Sequence, residues 1–357
     1  MSEVSFTGQS SLAVFAALNA ISEDGILIID RNYNVLRAND DALRFLGQRI
    51  LARPITNYIR HPDLLLCIDA TLASGEMRAF TFQRNEPARR LFNVKVVGLE
   101  NSNVLITLTD MTKSHIVEKI QTDFVANVSH ELRSPLTAII GFIETLQDNL
   151  ASDPDIGAAF LPLMRDEAGR MQRLIDELLT LSRIEADEHV PPREPVSIAS
   201  VITRAVTLFA KRTEALNRPI RTEIEVGCDF SAINVRGDED GLLQVFSNLI
   251  ENALNYGYPD TPILIRCHSL PPQGVLPARV VIAVSNAGDG IEPIHLGRVT
   301  ERFYRIDKSR SRKVGGSGLG LAIVKHIIGW HQGRLTISST QGEETVFSVT
   351  LAIATGV

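Results

Sequence analysis

"GGSGLGLAIVKH", residues Gly315 to His326, carries glycines at positions 316, 318 and 320 and then turns into an apolar helical stretch. Glycines let a backbone approach a phosphate closely, and the N-terminus of a helix favours negative charge. In the dinucleotide-binding βαβ unit such glycines follow the unit's first strand directly. Here they follow "DKSRSRKV", residues Asp307 to Val314, a basic and loop-like run. The dinucleotide fold therefore does not fit, and the glycines call for another way of holding a nucleotide.

Two further stretches lie upstream. "NLIENA" places Asn248 and Asn252 four residues apart, on one face of a helix. By themselves they could be two surface amides on an amphipathic helix. "NAGDGI", Asn286 to Ile291, follows the apolar run "ARVVIAVSN" and supplies Gly288 and Gly290. A lone G-x-G carries little weight. In this order and spacing, however, the three stretches resemble the N, G1 and G2 boxes of the Bergerat-type ATP-binding fold, and "ERFYRID" before the glycines resembles its F box.

That resemblance implies ATP and Mg²⁺. Asn252 would offer its amide oxygen to the metal, a hard cation that takes oxygen ligands and also holds phosphate oxygens. Asn248 would support the phosphate end. Gly316, Gly318 and Gly320 would belong to a lid over the triphosphate, with Arg305 as a lid-side cation and Lys308 on a solvated basic loop. Asn286, Gly288 and Gly290 would stand at the base. Three departures bear on this site. Asn286 replaces the usual aspartate that accepts from the adenine amino group, although an amide oxygen still accepts. Asn255 replaces a usual lysine. The last glycine box reads "GEET", with Glu344 in a glycine's place and Thr345 retained.

Members of this fold include protein histidine kinases, type II topoisomerases, a heat-shock chaperone and a mismatch-repair protein. The hydrolysing members use a glutamate four residues before the magnesium asparagine to activate water. Here that position is Asn248, and Glu251 is expected about 100° around the helix from Asn252. With no base aimed at water, ATP is kept for transfer to another acceptor.

"FVANVSHELRSPLTAIIGF", Phe124 to Phe142, supplies the acceptor. Its core "SHELRSPL" resembles the H box of histidine kinases, which makes His130 the phosphoacceptor. An isolated histidine on such a helix would be read as a satisfied bundle residue; a transfer-type ATP domain on the same chain changes that. Imidazole is largely neutral near pH 7 and one ring nitrogen can attack a phosphate. Glu131 is the carboxylate that would take the proton from the other nitrogen. Ser134 ends the phosphatase-type motif usually written HExxT, and its hydroxyl can still orient water. Pro135 cannot donate to the Glu131 carbonyl, so a bend or loosened turn is expected there.

Apolar residues at Val125, Val128, Leu132, Ile139, Ile143 and Leu146, and again at Met164, Met171, Leu174, Leu178 and Leu181, predict two long amphipathic helices joined by "ASDPDIGAAF". Each stripe is wider than one hairpin can bury, and two hairpins paired into a four-helix bundle would cover it. A homodimer follows. "EADEHVPPREPVS" is charged and proline-rich and reads as a linker. Before the hairpin, strand candidates at Gly25–Asp30, Asn34–Asn39, Met77–Phe82, Arg90–Leu99 and Asn103–Asp110, with helices between the second and third, resemble a PAS sensor domain. His61, before Pro62, reads as a solvated turn histidine rather than a haem ligand.

The chain is thus expected to be multidomain α+β. A PAS domain spans 12–112, a dimeric helical hairpin 113–187, a linker 188–196 and an α/β-sandwich ATP-binding domain 197–357. As a whole it resembles the PAS-containing sensor histidine kinases, and "DFVANVSHELRSPLTAIIGFIETL" with "RHPDLL" is most similar to the phosphate-regulon sensor kinases. The resemblance implies autophosphorylation on His130, then transfer to an aspartate on a response-regulator receiver, with dephosphorylation of that partner a further capacity. No receiver follows Ala354, so the acceptor is a separate protein. A non-catalytic kinase-like scaffold is the alternative, motivated by Asn286, Asn255 and Glu344; a Bergerat-fold ATPase is a second.

Composition agrees with a folded chain. Of 357 residues 44% are hydrophobic, and the formal net charge of −6 argues against a general nucleic-acid binder. Three separated cysteines give no metal or disulfide pattern and fit a reducing cytoplasm. No apolar run reaches the ~18 residues of a membrane span; Ser11 to Ile21 reads as an amphipathic helix. The phosphate-regulon group usually carries an N-terminal membrane segment, so membrane association here would fall to partners or to an anchor outside this sequence.

Overall fold

The computed structural model describes residues 22–85, 89–99, 102–149, 156–187, 190–225, 230–306 and 316–354. The expected helix at Ser11–Ile21, and Lys308 with its basic loop, lie outside these residues. Two compact units divide between Asp123 and Phe124.

The first unit is a five-stranded antiparallel sheet. Its strands are β1 (Gly25–Ile29), β2 (Val35–Ala38), β3 (Arg78–Arg84), β4 (Arg90–Gly98) and β5 (Val104–Asp110), in spatial order β2-β1-β5-β4-β3. Alternate residues face inward, as the period of a half-buried strand requires: Val104, Ile106 and Leu108 of β5 are buried, as are Phe92, Val94 and Val96 of β4. Helices α1 (Asp40–Leu46) and α2 (Pro62–Ser74) lie between β2 and β3 in sequence, and Leu64 and Ile68 of α2 complete the core. Asn39 is buried and fully used: its Oδ1 accepts from the amides of Ala42 and Ile26, both at 2.8 Å, and its Nδ2 donates to the Asp24 carbonyl. It caps α1 and ties it to β1 at once. His61 is not a free turn residue. It stands at the N-cap of α2 with its ring stacked on Phe80 at 5.4 Å, and Pro62 takes the first helical position.

The second unit contains the hairpin and an α/β domain. Helix α3 (Thr112–Asn149) runs without interruption through Pro135, whose ring is buried; α4 (Ile156–Asp187) likewise contains Pro162. The helix is continuous past the proline. One missing N–H removes one bond from a ladder of 38 residues, and the flanking turns keep the helix intact. Phe142 and Phe160 meet across the hairpin at 5.3 Å. Leu136, Ile140 and Ile143 of α3 and Leu161, Ile175 and Leu179 of α4 remain exposed.

The linker is shorter than its composition suggests. Helix α4 continues to Asp187, and Pro195–Ser197 forms strand β6, paired with β8 (Asn234–Arg236). Proline is tolerated there because it is the first residue of a strand in a two-stranded sheet. The main sheet has the order β11-β12-β10-β9-β7, with β7 (Ile220–Ile224) parallel to β9 (Ile263–Leu270) and the other pairs antiparallel. Strand β10 (Arg279–Ala287) is central and buried along nearly its whole length. Strands β11 (Arg334–Ser339) and β12 (Glu344–Ala352) complete the sheet. Helices α5 (Ile198–Ala215), α6 (Glu239–Tyr256) and α8 (Gly320–Trp330) share one core with its inward residues, and a short helix α7 (Pro293–Leu296) precedes the F-box stretch. Leu174, Leu181 and Ile184 of α4 join that same core, so the second hairpin helix is packed onto the α/β domain.

A buried histidine outside any motif locks the start of α6. The His331 Nε2 accepts from the Asp238 amide at 2.9 Å and its Nδ1 faces the Ile327 carbonyl at 2.7 Å. A neutral ring with the proton on Nδ1 satisfies both. Burial lowers its pKa below 6.5, against the opposing pull of Ile327 and Asp238.

Candidate nucleotide and phosphotransfer site

Helix α6 begins at Asp238, whose carboxylate accepts from the Gly241 amide at 2.7 Å, and buries Leu242, Val245, Phe246, Leu249, Ile250 and Ala253. That apolar stripe sets the azimuth of the opposite residues. Asn248, Glu251, Asn252 and Asn255, at i, i+3, i+4 and i+7, all line one cavity of ≈ 330 Å³. Asn252 is there as expected, and no hydrogen bond from another described residue reaches its carboxamide. Glu251, about 100° around the helix from Asn252, also lines the cavity, three residues on from Asn248. Its carboxylate is held by Arg212 at 3.5 Å, and the same guanidinium donates to Asn255 Oδ1 at 2.6 Å.

One wall of the cavity is built by two strands. Asn286 is the penultimate residue of β10 and is paired in register with Thr345 of β12; both line the cavity and both are buried. The Thr345 hydroxyl is 2.7 Å from that of Ser339. Two glycines close this wall. A Cβ on Gly288 would lie 2.8 Å from the Tyr256 carbonyl oxygen, and one on Gly290, at φ +81°, would lie 2.7 Å from the Gln341 Cα. No other residue fits there.

Another wall is formed by the glycine segment. Gly316, Gly318 and Gly320 line the cavity, and Gly320 opens α8. Asn248 Nδ2 donates to the Gly320 carbonyl at 3.2 Å, which pins the segment to α6. The F-box stretch is zipped to it: the Phe303 amide donates to the Gly318 carbonyl at 2.9 Å. Phe303 in turn packs on Phe124 of α3 at 5.8 Å, with Arg302 over the Phe124 ring.

The hairpin reaches into this cavity, which nothing in the linear pattern announces. Glu131, Pro135, Arg170, Arg173 and Glu177 are among its lining residues. The Glu131 carboxylate is held by Arg170 at 3.4 Å and by Arg305 at 3.8 Å. Arg305 lines the cavity beside the glycine segment, and its side chain is nearly buried against the hairpin. Glu177 accepts a hydrogen bond from the Ser317 hydroxyl. Burial pushes its carboxyl above the usual range; the Ser317 bond pulls back, the Glu251 charge pushes further up, and Arg173 pulls down. His130 is exposed and does not line the cavity; Ser134, one turn on, is exposed too. His130 and Glu131 therefore face different directions, as neighbours on a helix must. Among the described residues no cluster of three or more His, Cys, Asp or Glu could hold a metal ion.

Comparison with known proteins decides the family. Residues 237–355 match the family described as Histidine kinase-, DNA gyrase B-, and HSP90-like ATPase, and residues 120–187 match the His Kinase A (phospho-acceptor) domain. The phosphate regulon sensor protein PhoR of Pseudomonas aeruginosa is 36% identical over 94% of this chain and 73% of that protein. The chain belongs to the sensor histidine kinases. A staphylococcal relative, the sensor protein kinase WalK of Staphylococcus epidermidis, is 32% identical over 92% of this chain but 53% of its own length, so the chain spans about half of that protein. A solved structure of histidine kinase ThkA in complex with response regulator protein TrrA matches with a TM-score of 0.52 at 21% identity, over 93% of this chain and 96% of that one, a likeness of fold.

The kinase's α/β domain is thus an ATP-binding domain, and its cavity fits that ligand. Gly288, Gly290 and the glycines at 316, 318 and 320 line it with backbone rather than side chains, which lets a nucleotide approach closely. The cations Arg170, Arg173 and Arg212 escaped sequence reading because they stand on helices remote from every box. The described residues include no helix long and apolar enough to cross a membrane.

Proposed function

We propose that this kinase takes the γ-phosphate of Mg·ATP onto His130 and passes it to an aspartate of a response-regulator receiver domain. One observation supports the assignment above the others: exposed His130 is flanked by Glu131, which lines the cavity shared by Asn248, Asn252 and the glycines. Asn252 would hold Mg²⁺ through its amide oxygen, leaving the remaining positions to phosphate oxygens and water. The metal would neutralise charge on the phosphates during transfer. One His130 ring nitrogen attacks the γ-phosphorus, the bond to the β-phosphate bridging oxygen breaks, and ADP leaves. Glu131 accepts the proton from the other ring nitrogen. Since His130 does not line the cavity, transfer requires the α/β domain and the hairpin to shift relative to each other.

The sheet order and inserted helices of residues 22–110 support a PAS sensor domain, and the exposed apolar residues along α3 and α4 support a homodimer through a four-helix bundle. The relative that is a phosphate regulon sensor supports phosphate-starvation signalling as the pathway. Ser134, exposed one turn after His130, supports a response-regulator phosphatase role by orienting water. Incubation with γ-labelled ATP and Mg²⁺ tests the central step. The label should be acid-labile and absent from His130→Ala; acid-stable label, or label surviving that substitution, overturns the assignment.

A further inference from the structure

Glu177 belongs to the hairpin, yet its carboxylate lies in the nucleotide cavity. It is bonded to Ser317, which stands between Gly316 and Gly318, in the segment that leads into α8. The Ser317 hydroxyl also accepts from the Leu319 amide at 3.0 Å. A serine hydroxyl has one proton to donate. While Glu177 holds that proton's bond, Ser317 cannot give it to a phosphate oxygen. The carboxylate also puts negative charge into a cavity whose ligand is polyanionic, beside a second acid, Glu251. Arg173 opposes it. The position is set by packing: Leu174 and Leu181, on either side in sequence, are both buried in the α/β core. Glu177 therefore stays at the glycine segment as long as α4 stays docked.

We propose that Glu177 sets nucleotide affinity by working against it, competing with phosphate for the Ser317 hydroxyl, so that ATP binds fully only when α4 carries Glu177 off the glycine segment. The inference rests on the ATP assignment of the cavity. It makes the hairpin's position and ATP affinity reciprocal: whatever withdraws α4 tightens nucleotide, and nucleotide favours withdrawal of α4 to the same degree. The raised proton affinity of Glu177 agrees with a carboxylate placed where charge is costly.

Isothermal titration of the full chain with a non-hydrolysable ATP analogue and Mg²⁺ tests this. Glu177→Gln keeps the shape and removes the charge, and should bind about tenfold tighter, equivalent to about 1.4 kcal/mol. In a Ser317→Ala background the same substitution should gain less, because the neutral amide's weaker hold on that hydroxyl no longer matters and only the lost charge counts. A second measurement uses the pair Glu177→Cys and Ser317→Cys. The oxidised, cross-linked form should exclude the nucleotide, and reductant should restore binding. Unchanged or weaker binding by Glu177→Gln, or full binding by the cross-linked form, overturns the proposal. Those outcomes leave the ATP assignment standing if wild type binds; loss of binding by wild type and Glu177→Gln alike sinks both.

Discussion

Glu131 and Arg170, on the two helices of the hairpin, form an ion pair at 3.4 Å in the lining of the nucleotide cavity. The pair holds the Glu131 carboxylate in the cavity lining, on a different side of α3 from His130. Glu131→Gln keeps that geometry but cannot take a proton. Its autophosphorylation rate should fall by about 10²–10⁴-fold, with Mg·ATP affinity retained. Arg170→Ala should cost less, because Arg305 still stands 3.8 Å from the same carboxylate. Single-turnover label incorporation beside calorimetric binding separates the two effects.

Asn286 lines the cavity, paired in register with Thr345, and is the residue assigned to the adenine amino group. A neutral amide makes a weaker acceptor than a carboxylate, by about 1 kcal/mol. Asn286→Asp should therefore tighten ATP by roughly five- to tenfold and leave GTP, which has no amino group at that position, unimproved. Competition between the two nucleotides for the purified chain measures the ratio. Equal gains for both would mean that Asn286 does not face the amino group.

Gly290 combines a left-handed backbone at φ +81° with a neighbouring backbone 2.7 Å from where a Cβ would stand. Gly290→Ala should cost about 1–3 kcal/mol of stability and weaken nucleotide binding together. Gly297, with open space around it, is the control: Gly297→Ala should change neither. Thermal unfolding with and without Mg·ATP reads both quantities.

His331 has a pKa held below 6.5 by burial. Below that value the unfolded chain takes up a proton that the folded ring refuses. Stability is then fully present above about pH 6.5 and declines as the pH falls through it towards the depressed value. Glu177, whose carboxyl is pushed up from 4.5, acts in the opposite sense and loses stability as the pH rises above 4.5. The His331 contribution is read as a difference: His331→Gln should flatten the fall in denaturant midpoint between about pH 7 and pH 5. An identical slope in the variant would assign the fall to other groups.

Ile140 and Leu179 stand exposed on α3 and α4. Ile140→Glu with Leu179→Glu puts charge on a face that a second hairpin would cover. Sedimentation equilibrium should show a shift from dimer to monomer, and His130 labelling should fall with it if the partner's α/β domain serves the histidine.

Much of this molecule is written in short windows. The apolar residues of α3 and α4, three and four apart, define two helices because helical period is a local property. Gly288, Gly290, Gly316, Gly318 and Gly320 announce close backbone approach because only glycine permits it, whatever lies around them. Strand β9 was missed: its "ILIRCHSL" interleaves Arg266 and His268 with inward Ile263, Ile265 and Cys267, an alternation too short and mixed to stand out. Strands β7 and β8, of five and three residues, are too short to show a period. Helix α3 passes through Pro135 intact, since one lost bond is outweighed by the turns on either side.

What the tertiary structure alone decided is which polar groups meet. Periodicity tells which face of α4 is apolar, and so that Glu177 has a place on the helix, but not that α4 docks on the α/β core. That docking brings Glu177 onto Ser317, 140 residues away in sequence, and Arg170 and Arg305 onto Glu131. It also turns Glu131, rather than His130, into the cavity. A side chain's chemistry is local, whereas its partner depends on how distant segments close on one another, and no window of sequence contains both.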